Sequence, residues 1–157
     1  MKLYIKLGAR YKEASADMVQ EAVGAYLDNS ITGEELTTPA QSITFLQTRL
    51  GLLEREHFCI LFLDTRNRVI EFNPMFKGTI NKTNVHPREV IKRALALNCS
   101  AVILAHNHPS GRCEPSEPDK RITQLLKEAL EIVDIRLLDH FIVSGTDYTS
   151  MAERGLI

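Results

Sequence analysis

Residues 104–119 read LAHNHPSGRCEPSEPD and gather His106, His108, Ser116 and Asp119, the densest concentration of chemically able side chains in the sequence. Side chains two apart in an extended segment point to one face. His106 and His108 therefore stand side by side if the apolar run Ala101–Ala105 is a strand that leads into them. Pro109 stops such a strand, and Gly111 permits the turn that follows. Ser116, Glu117, Pro118 and Asp119 then read as the start of a helix: serine is a preferred N-cap, proline suits the first turn, and an acidic residue at N3 resembles a capping box. These residues thus have a purely structural account, and a His-x-His pair alone carries little weight. The two accounts are compatible, because a residue can cap a helix and line a site. Two imidazoles and one carboxylate meeting at a point make three protein ligands for a zinc ion, one per chain, with a fourth position for water.

The pattern His-x-His, seven residues, Ser, two residues, Asp resembles the JAMM motif of the JAB/MPN metalloprotease fold, and the extended form HNHPSG…PSEPD resembles its RadC-like branch more narrowly. LEREHFCILFLDTRNRVI (53–70), GTINKTNVHPREVIKRAL (78–95) and LLDHFIVSG (137–145) match the same branch. The resemblance implies an α/β fold: a single MPN/JAB-like domain, a three-layer sandwich with a central mixed β-sheet flanked by helices. It places that domain at 37–157, after an extension over 1–36 with a short strand and a helix. Longer relatives carry an N-terminal helical region associated with DNA-binding-like motifs, and the match is weak before residue 37.

The resemblance also implies roles. His106, His108 and Asp119 hold the metal, and the Ser116 hydroxyl donates to a developing oxyanion. In this fold a glutamate at the start of a strand faces the metal and handles the proton, and the R-E-H-F context selects Glu56. Glu54 competes with it, since the two share a face if the chain is already extended there. Composition alone would make Glu56 a solvated side chain at a strand start. Where the branch usually has an acidic, proline-rich turn after HNHPSG, this chain has Arg112-Cys113-Glu114 at the same length. That keeps the ligand spacing and changes the rim. Cys113 reads as an ordinary loop cysteine, with a near-site thiol as the alternative.

Other elements must position these residues. Residues 2–7 alternate weakly and predict a short strand. Met18, Val19, Ala22, Val23, Tyr26 and Leu27 have helical spacing with Ser15 as N-cap, and 29–38 reads as a loop. Thr38-Pro39 starts a second helix whose stripe is Ile43, Leu46, Leu50 and Leu53, ending near Gly51. Phe58–Leu63 is short and continuously apolar, as in a strand buried on both faces. Asp64–Asn67 is a turn, and Val69–Phe76 a second strand whose Pro74 calls for an edge or a bulge. Residues 85–98 predict a helix with His86 at its cap and Pro87 at N1. The helix after Asp119 has the stripe Ile122, Leu125, Leu126 and Ala129. Residues 134–143 predict a strand, with His140 read as a satisfied core histidine and not a ligand. Gly145 marks a turn before a last short strand and helix. Strands and helices mixed in this order suggest a layered α/β domain.

A chain of 157 residues with 44% hydrophobic and 25% charged residues has the composition of one soluble globular domain. A formal net charge of −1 gives no global footprint for nucleic acid, and Arg88, Lys92, Arg93, Lys120 and Arg121 read as solvated helix faces. The longest apolar run, Phe58–Leu63, is too short to span a membrane. Lys2, Lys6, Arg10 and Lys12 interrupt any secretory signal. Cys59, Cys99 and Cys113 without a paired motif suggest a reducing cytoplasm.

Zinc on a His₂Asp site can bring the pKa of its water towards about 7, and a glutamate beside that water can act as base. The expected function is therefore that of a zinc-dependent metallohydrolase of the JAMM type acting on a peptide or isopeptide bond of a protein or peptide substrate. Manganese, iron or nickel could take the same ligands. Phosphodiester cleavage is a weaker alternative, because no second acidic cluster provides a two-metal site. A non-catalytic protein- or DNA-binding module linked to DNA repair or recombination, in line with the branch's historical name, is the other. Substrate, oligomeric state and any activating partner are open at this level.

Overall fold

The structure, a computed structural model, describes residues 2–78 and 85–157. Of the stretch GTINKTNVHPREVIKRAL, positions 79–84 lie outside the described residues. The chain runs β1 (Tyr4–Leu7), β2 (Arg10–Glu13), α1 (Ala16–Ser30), α2 (Pro39–Leu50), β3 (His57–Leu63), β4 (Val69–Lys77), α3 (Pro87–Ala96), β5 (Ala101–Asn107), α4 (Glu117–Glu131), β6 (Arg136–Ser144) and β7 (Asp147–Ser150). β1 and β2 form a separate antiparallel hairpin. The other five strands form one mixed sheet in the order β4-β3-β5-β6-β7, antiparallel except for the β5–β6 pair. This is the expected α/β sandwich around a central mixed sheet.

Side-chain alternation sorts the sheet residues into two cores. Cys59, Leu61 and Leu63 of β3, Ala101, Ile103 and Ala105 of β5, and Phe141 and Val143 of β6 pack with Ile43, Phe45, Leu46 and Leu50 of α2. Leu27 of α1 and Ile31, just beyond its end, join this face. Phe58, Ile60 and Phe62 of β3 and Val102 and Leu104 of β5 point the other way, to Val90 and Ala94 of α3 and Leu126 and Leu130 of α4. A strand buried on both faces needs a continuous apolar run, and Phe58–Leu63 is buried throughout.

Local sequence sets the element ends. The Ser15 hydroxyl accepts the Met18 N–H at 3.3 Å and starts α1. Pro39 sits in the first turn of α2, and the Gln41 side chain accepts the N–H of Thr38 at 3.1 Å. Pro74 lies on the outermost strand, inside a register shift: Phe58 pairs with Phe76 but Ile60 with Asn73, so β4 carries an extra residue there. α2 ends against the β6–β7 turn, where the Gly145 N–H donates to the Gly51 carbonyl at 3.2 Å.

Several boundaries differ from the sequence reading. β5 runs on through His106 and Asn107, because β6 pairs with it to the end, Asn107 opposite Val143. α1 reaches Ser30, and α3 is confined to Pro87–Ala96. Among the described residues no helix is long and apolar enough to cross a membrane.

Candidate metal centre

His106, His108 and Asp119 come together at the C-terminal end of β5. Their ligand atoms all lie within 4.8 Å of one another. His106 reaches the α4 face of the sheet because it follows Val102 and Leu104 in alternation, and His108 follows in phase. The His108 N–H donates to the Val143 carbonyl at 2.8 Å and the Ser144 hydroxyl donates to the His108 carbonyl at 2.7 Å, so β6 holds the second histidine in place beyond the strand end. Asp119 arrives from the first turn of α4, where Ser116 is the N-cap. The Ser116 hydroxyl accepts the Asp119 N–H at 3.3 Å. One Asp119 oxygen, Oδ2, accepts from the Ser116 N–H at 2.7 Å and from the Ser116 hydroxyl at 2.6 Å.

The inward-facing atoms are all able to offer a lone pair. His106 Nε2 and His108 Nε2 are 2.9 Å apart, His106 Nε2 is 3.3 Å from Asp119 Oδ1, and His108 Nε2 is 3.5 Å from Asp119 Oδ2. Ligands at zinc's usual bond lengths, about 2.0–2.1 Å, stand roughly 3.3 Å apart around a tetrahedral ion. The cluster therefore fits a metal in both donor type and spacing. His106 and Asp119 are closed off, and His108, with 15% of its side chain exposed, forms the side open to solvent.

The charges respond to this crowding. Burial would push the Asp119 carboxyl up, but the two imidazoles and the Ser116 hydroxyl beside it hold it well below the usual carboxylate range. Burial lowers the His106 imidazole against the pull of Asp119. His108 is raised by its hydrogen bond with Asp119, against burial.

Glu56 immediately precedes β3, the strand whose Phe58 pairs with His106. It is half-buried, and its charge raises the proton affinity of both histidines, whereas Glu54 is exposed. A family model described as a RadC-like JAB domain matches residues 36–156.

The chain belongs to the RadC-like JAB domain family. A UPF0758 protein of Vibrio atlanticus is 50% identical over 150 residues, covering 95% of this chain and 66% of that protein. A UPF0758 protein of Nitrosococcus oceani is 57% identical over 125 residues, covering 80% of this chain and 56% of the relative. A UPF0758 protein of Vibrio cholerae is 46% identical over 146 residues and is covered over 91% of its length. The chain thus spans between half and two thirds of several curated relatives it matches, and nearly all of another.

Two features of this RadC-like domain escaped the sequence reading. Asn107, between the two histidines, points to the opposite face and is buried. Its Oδ1 accepts the His57 N–H at 2.8 Å, and its Nδ2 donates to the carbonyls of Leu53 at 3.1 Å and Arg55 at 3.0 Å. The strand that carries the histidines therefore also holds the segment that carries Glu56. Strict alternation signals that Asn107 faces the wrong way for a ligand, but nothing local names its partners. The second feature is His140. It is buried and satisfied, as expected of a core histidine, yet its partner is His106, at 2.8 Å between His140 Nε2 and His106 Nδ1.

Arg112-Cys113-Glu114 shape the rim. The Arg112 carbonyl lies 2.8 Å from His108 Nδ1, and Glu114 forms an ion pair with Arg154 from the C-terminal turn. Cys113 stands outside the three-ligand cluster, and burial together with the nearby Asp147 carboxylate pushes its thiol up, away from the reactive thiolate.

Proposed function

We propose that this RadC-like domain is a zinc-dependent metallohydrolase that cleaves a peptide or isopeptide bond. The observation that supports it most is the convergence of three lone-pair donors, two imidazole and one carboxylate, with His108 open to solvent on one side. Like atoms with partial negative charge gather this way when a cation belongs among them.

His106 and His108 would bind through Nε2 and Asp119 through its carboxylate. A bound zinc ion supplies Lewis acidity, which makes water easier to deprotonate near neutrality and polarises a carbonyl. The Glu56 carboxylate takes the proton of the attacking water and returns it to the leaving amine. The Ser116 hydroxyl turns from Asp119 Oδ2 to the oxyanion that develops on the substrate carbonyl, and the Ser116 N–H keeps its bond to Asp119. The substrate is a protein or peptide. The three free thiols, Cys59, Cys99 and Cys113, favour a reducing cytoplasm as the working compartment.

The test begins with metal content. The wild type, purified without chelator, is expected to carry about one zinc per chain, and a folded His106→Ala/His108→Ala double variant almost none. Peptide and isopeptide libraries then follow the loaded protein. A wild type that binds no zinc after reconstitution overturns the proposal. One that binds zinc but cleaves no member of either library leaves a metal-bearing binding module in its place.

A further inference from the structure

We propose that His140 is a positioning residue for the metal centre: with Thr123 it fixes the tautomer and ring orientation of His106 so that Nε2 presents its lone pair to the ion. The inference rests on the metal reading above and adds a residue of β6 and one of α4 to it.

The proton positions follow from one acceptor that has no alternative. The Thr123 hydroxyl oxygen lies 2.6 Å from the Asp119 main-chain carbonyl and 2.6 Å from His140 Nδ1, with Met151 Sδ at 3.6 Å. A carbonyl can only accept, and two oxygens approach so closely only with a hydrogen between them, so the single hydroxyl hydrogen of Thr123 points at Asp119. The same hydroxyl must then accept from His140, which places a hydrogen on His140 Nδ1. In the neutral ring His140 Nε2 is left with a lone pair, and this faces His106 Nδ1 at 2.8 Å. His106 Nδ1 therefore carries the hydrogen, and its Nε2 keeps the lone pair, turned towards His108 and Asp119. Thr123 and His140 are buried, so water offers no competing partner. Phe58 packs against both rings, with centroids 6.3 Å from His106 and 5.6 Å from His140.

The hydrogen bonds leave residue 119 from its main-chain carbonyl and pass through Thr123 and His140 to His106, whose Nε2 lone pair ends 3.3 Å from the 119 carboxylate. α4, β6 and β5 are thereby joined by buried side chains at the level of the ligands. His108 obtains the same tautomer from the Arg112 carbonyl, at a more exposed position. Hydrogen bonds of this kind to the non-ligating nitrogen typically change metal affinity by roughly 10–100-fold.

The experiment measures zinc affinity by chelator competition, together with imidazole nitrogen-15 shifts of the metal-free protein, for wild type, His140→Leu, His140→Gln and Thr123→Val. His140→Leu is expected to weaken zinc binding about 10–100-fold, and His140→Gln, whose amide oxygen can accept from His106, to recover most of it. Thr123→Val keeps the core volume. It is expected to shift His140 away from its Nδ1–H tautomer and to weaken zinc binding at least about threefold. Wild-type affinity in folded His140→Leu, or equal losses in His140→Leu and His140→Gln, overturns the proposal. Should His140→Leu not fold, Thr123→Val decides alone: unchanged nitrogen-15 shifts with unchanged affinity overturn it. Absence of zinc binding by the wild type sinks the metal reading itself, an outcome distinct from all of these.

Discussion

The main-chain N–H of His57 donates to Oδ1 of Asn107 across 2.8 Å, though fifty residues separate the two. With the bonds from Asn107 Nδ2 to Leu53 and Arg55, one amide satisfies three main-chain groups of the segment that leads into β3. His106 on one face of β5 and this amide on the other tie the candidate ligands to the candidate base. Removing a buried partner leaves its counterparts unsatisfied, so Asn107→Ala is expected to lose about 2–4 kcal/mol in urea denaturation. Zinc affinity of the folded fraction should stay within about threefold of wild type while hydrolysis falls. Equal loss of zinc affinity would mean that Asn107 supports the ligands and not the Glu56 segment.

Glu56 and Glu54 separate by substitution. Glu56→Gln is expected to keep its zinc and lower hydrolysis by about 10²–10⁴-fold, the usual worth of a positioned acid–base group. Glu54→Gln should remain within about twofold of wild type. Assays at matched zinc occupancy decide between them, and the reverse ranking would move the base to Glu54.

Different substitutions pull apart the N-cap role of Ser116 and the oxyanion role proposed for it. Ser116→Ala should lose about 1 kcal/mol in thermal melting of the metal-free protein, as an N-cap removal does, and about 10²–10³-fold in hydrolysis if its hydroxyl serves the oxyanion. Ser116→Asn can still cap the helix without setting a second carboxylate against Asp119, and it has no hydroxyl to donate. It should recover stability without recovering rate.

Gly51 has an ordinary backbone, with φ of −62°, so any penalty on substitution there is steric. A Cβ at this position would stand 2.5 Å from the Gly145 carbonyl oxygen and 2.6 Å from that of Gln47. Gly51→Ala is expected to cost about 1–3 kcal/mol in chemical denaturation, since backbone must move to admit the methyl group.

Burial pushes the Cys99 thiol up to about 11 from its ordinary value near 9.0. The unfolded chain releases this proton first as pH rises, so the contribution is fully present below about pH 9 and disappears as pH climbs through the folded value. Urea midpoints should fall between pH 9 and 11, with a share of roughly 2–3 kcal/mol that Cys99→Ala removes. A Cys99→Ala variant with the wild-type alkaline slope would assign that slope to other groups.

Which parts were legible follows from how far each interaction reaches along the chain. Period-two alternation put His106 and His108 on one face, and the Ser116–Asp119 cap needed only four consecutive residues, so both could be read locally. Phe58–Leu63 was legible because burial on both faces leaves an unbroken apolar run. β2 is not legible because all four of its residues are exposed and no apolar alternation marks it. Asn107 and His140 were different cases. Pattern gave the face each occupies, but their partners lie fifty and thirty-four residues away, and only the sheet order brings them together. The end of β5 is not legible locally, because its last pairing, Asn107 with Val143, also depends on a distant strand.

The capping box at the start of α4 ties the helix to the candidate metal site. Asp119 satisfies the Ser116 N–H with the same carboxylate that faces both histidines. An ion bound there would share its carboxylate with the cap that orders the helix's first turn. Any loss at position 119 will read as a defect of function and of architecture at once, so tolerance of change there cannot separate the two. An engineer wishing to retune the ion without loosening the helix would have to work from the histidine side.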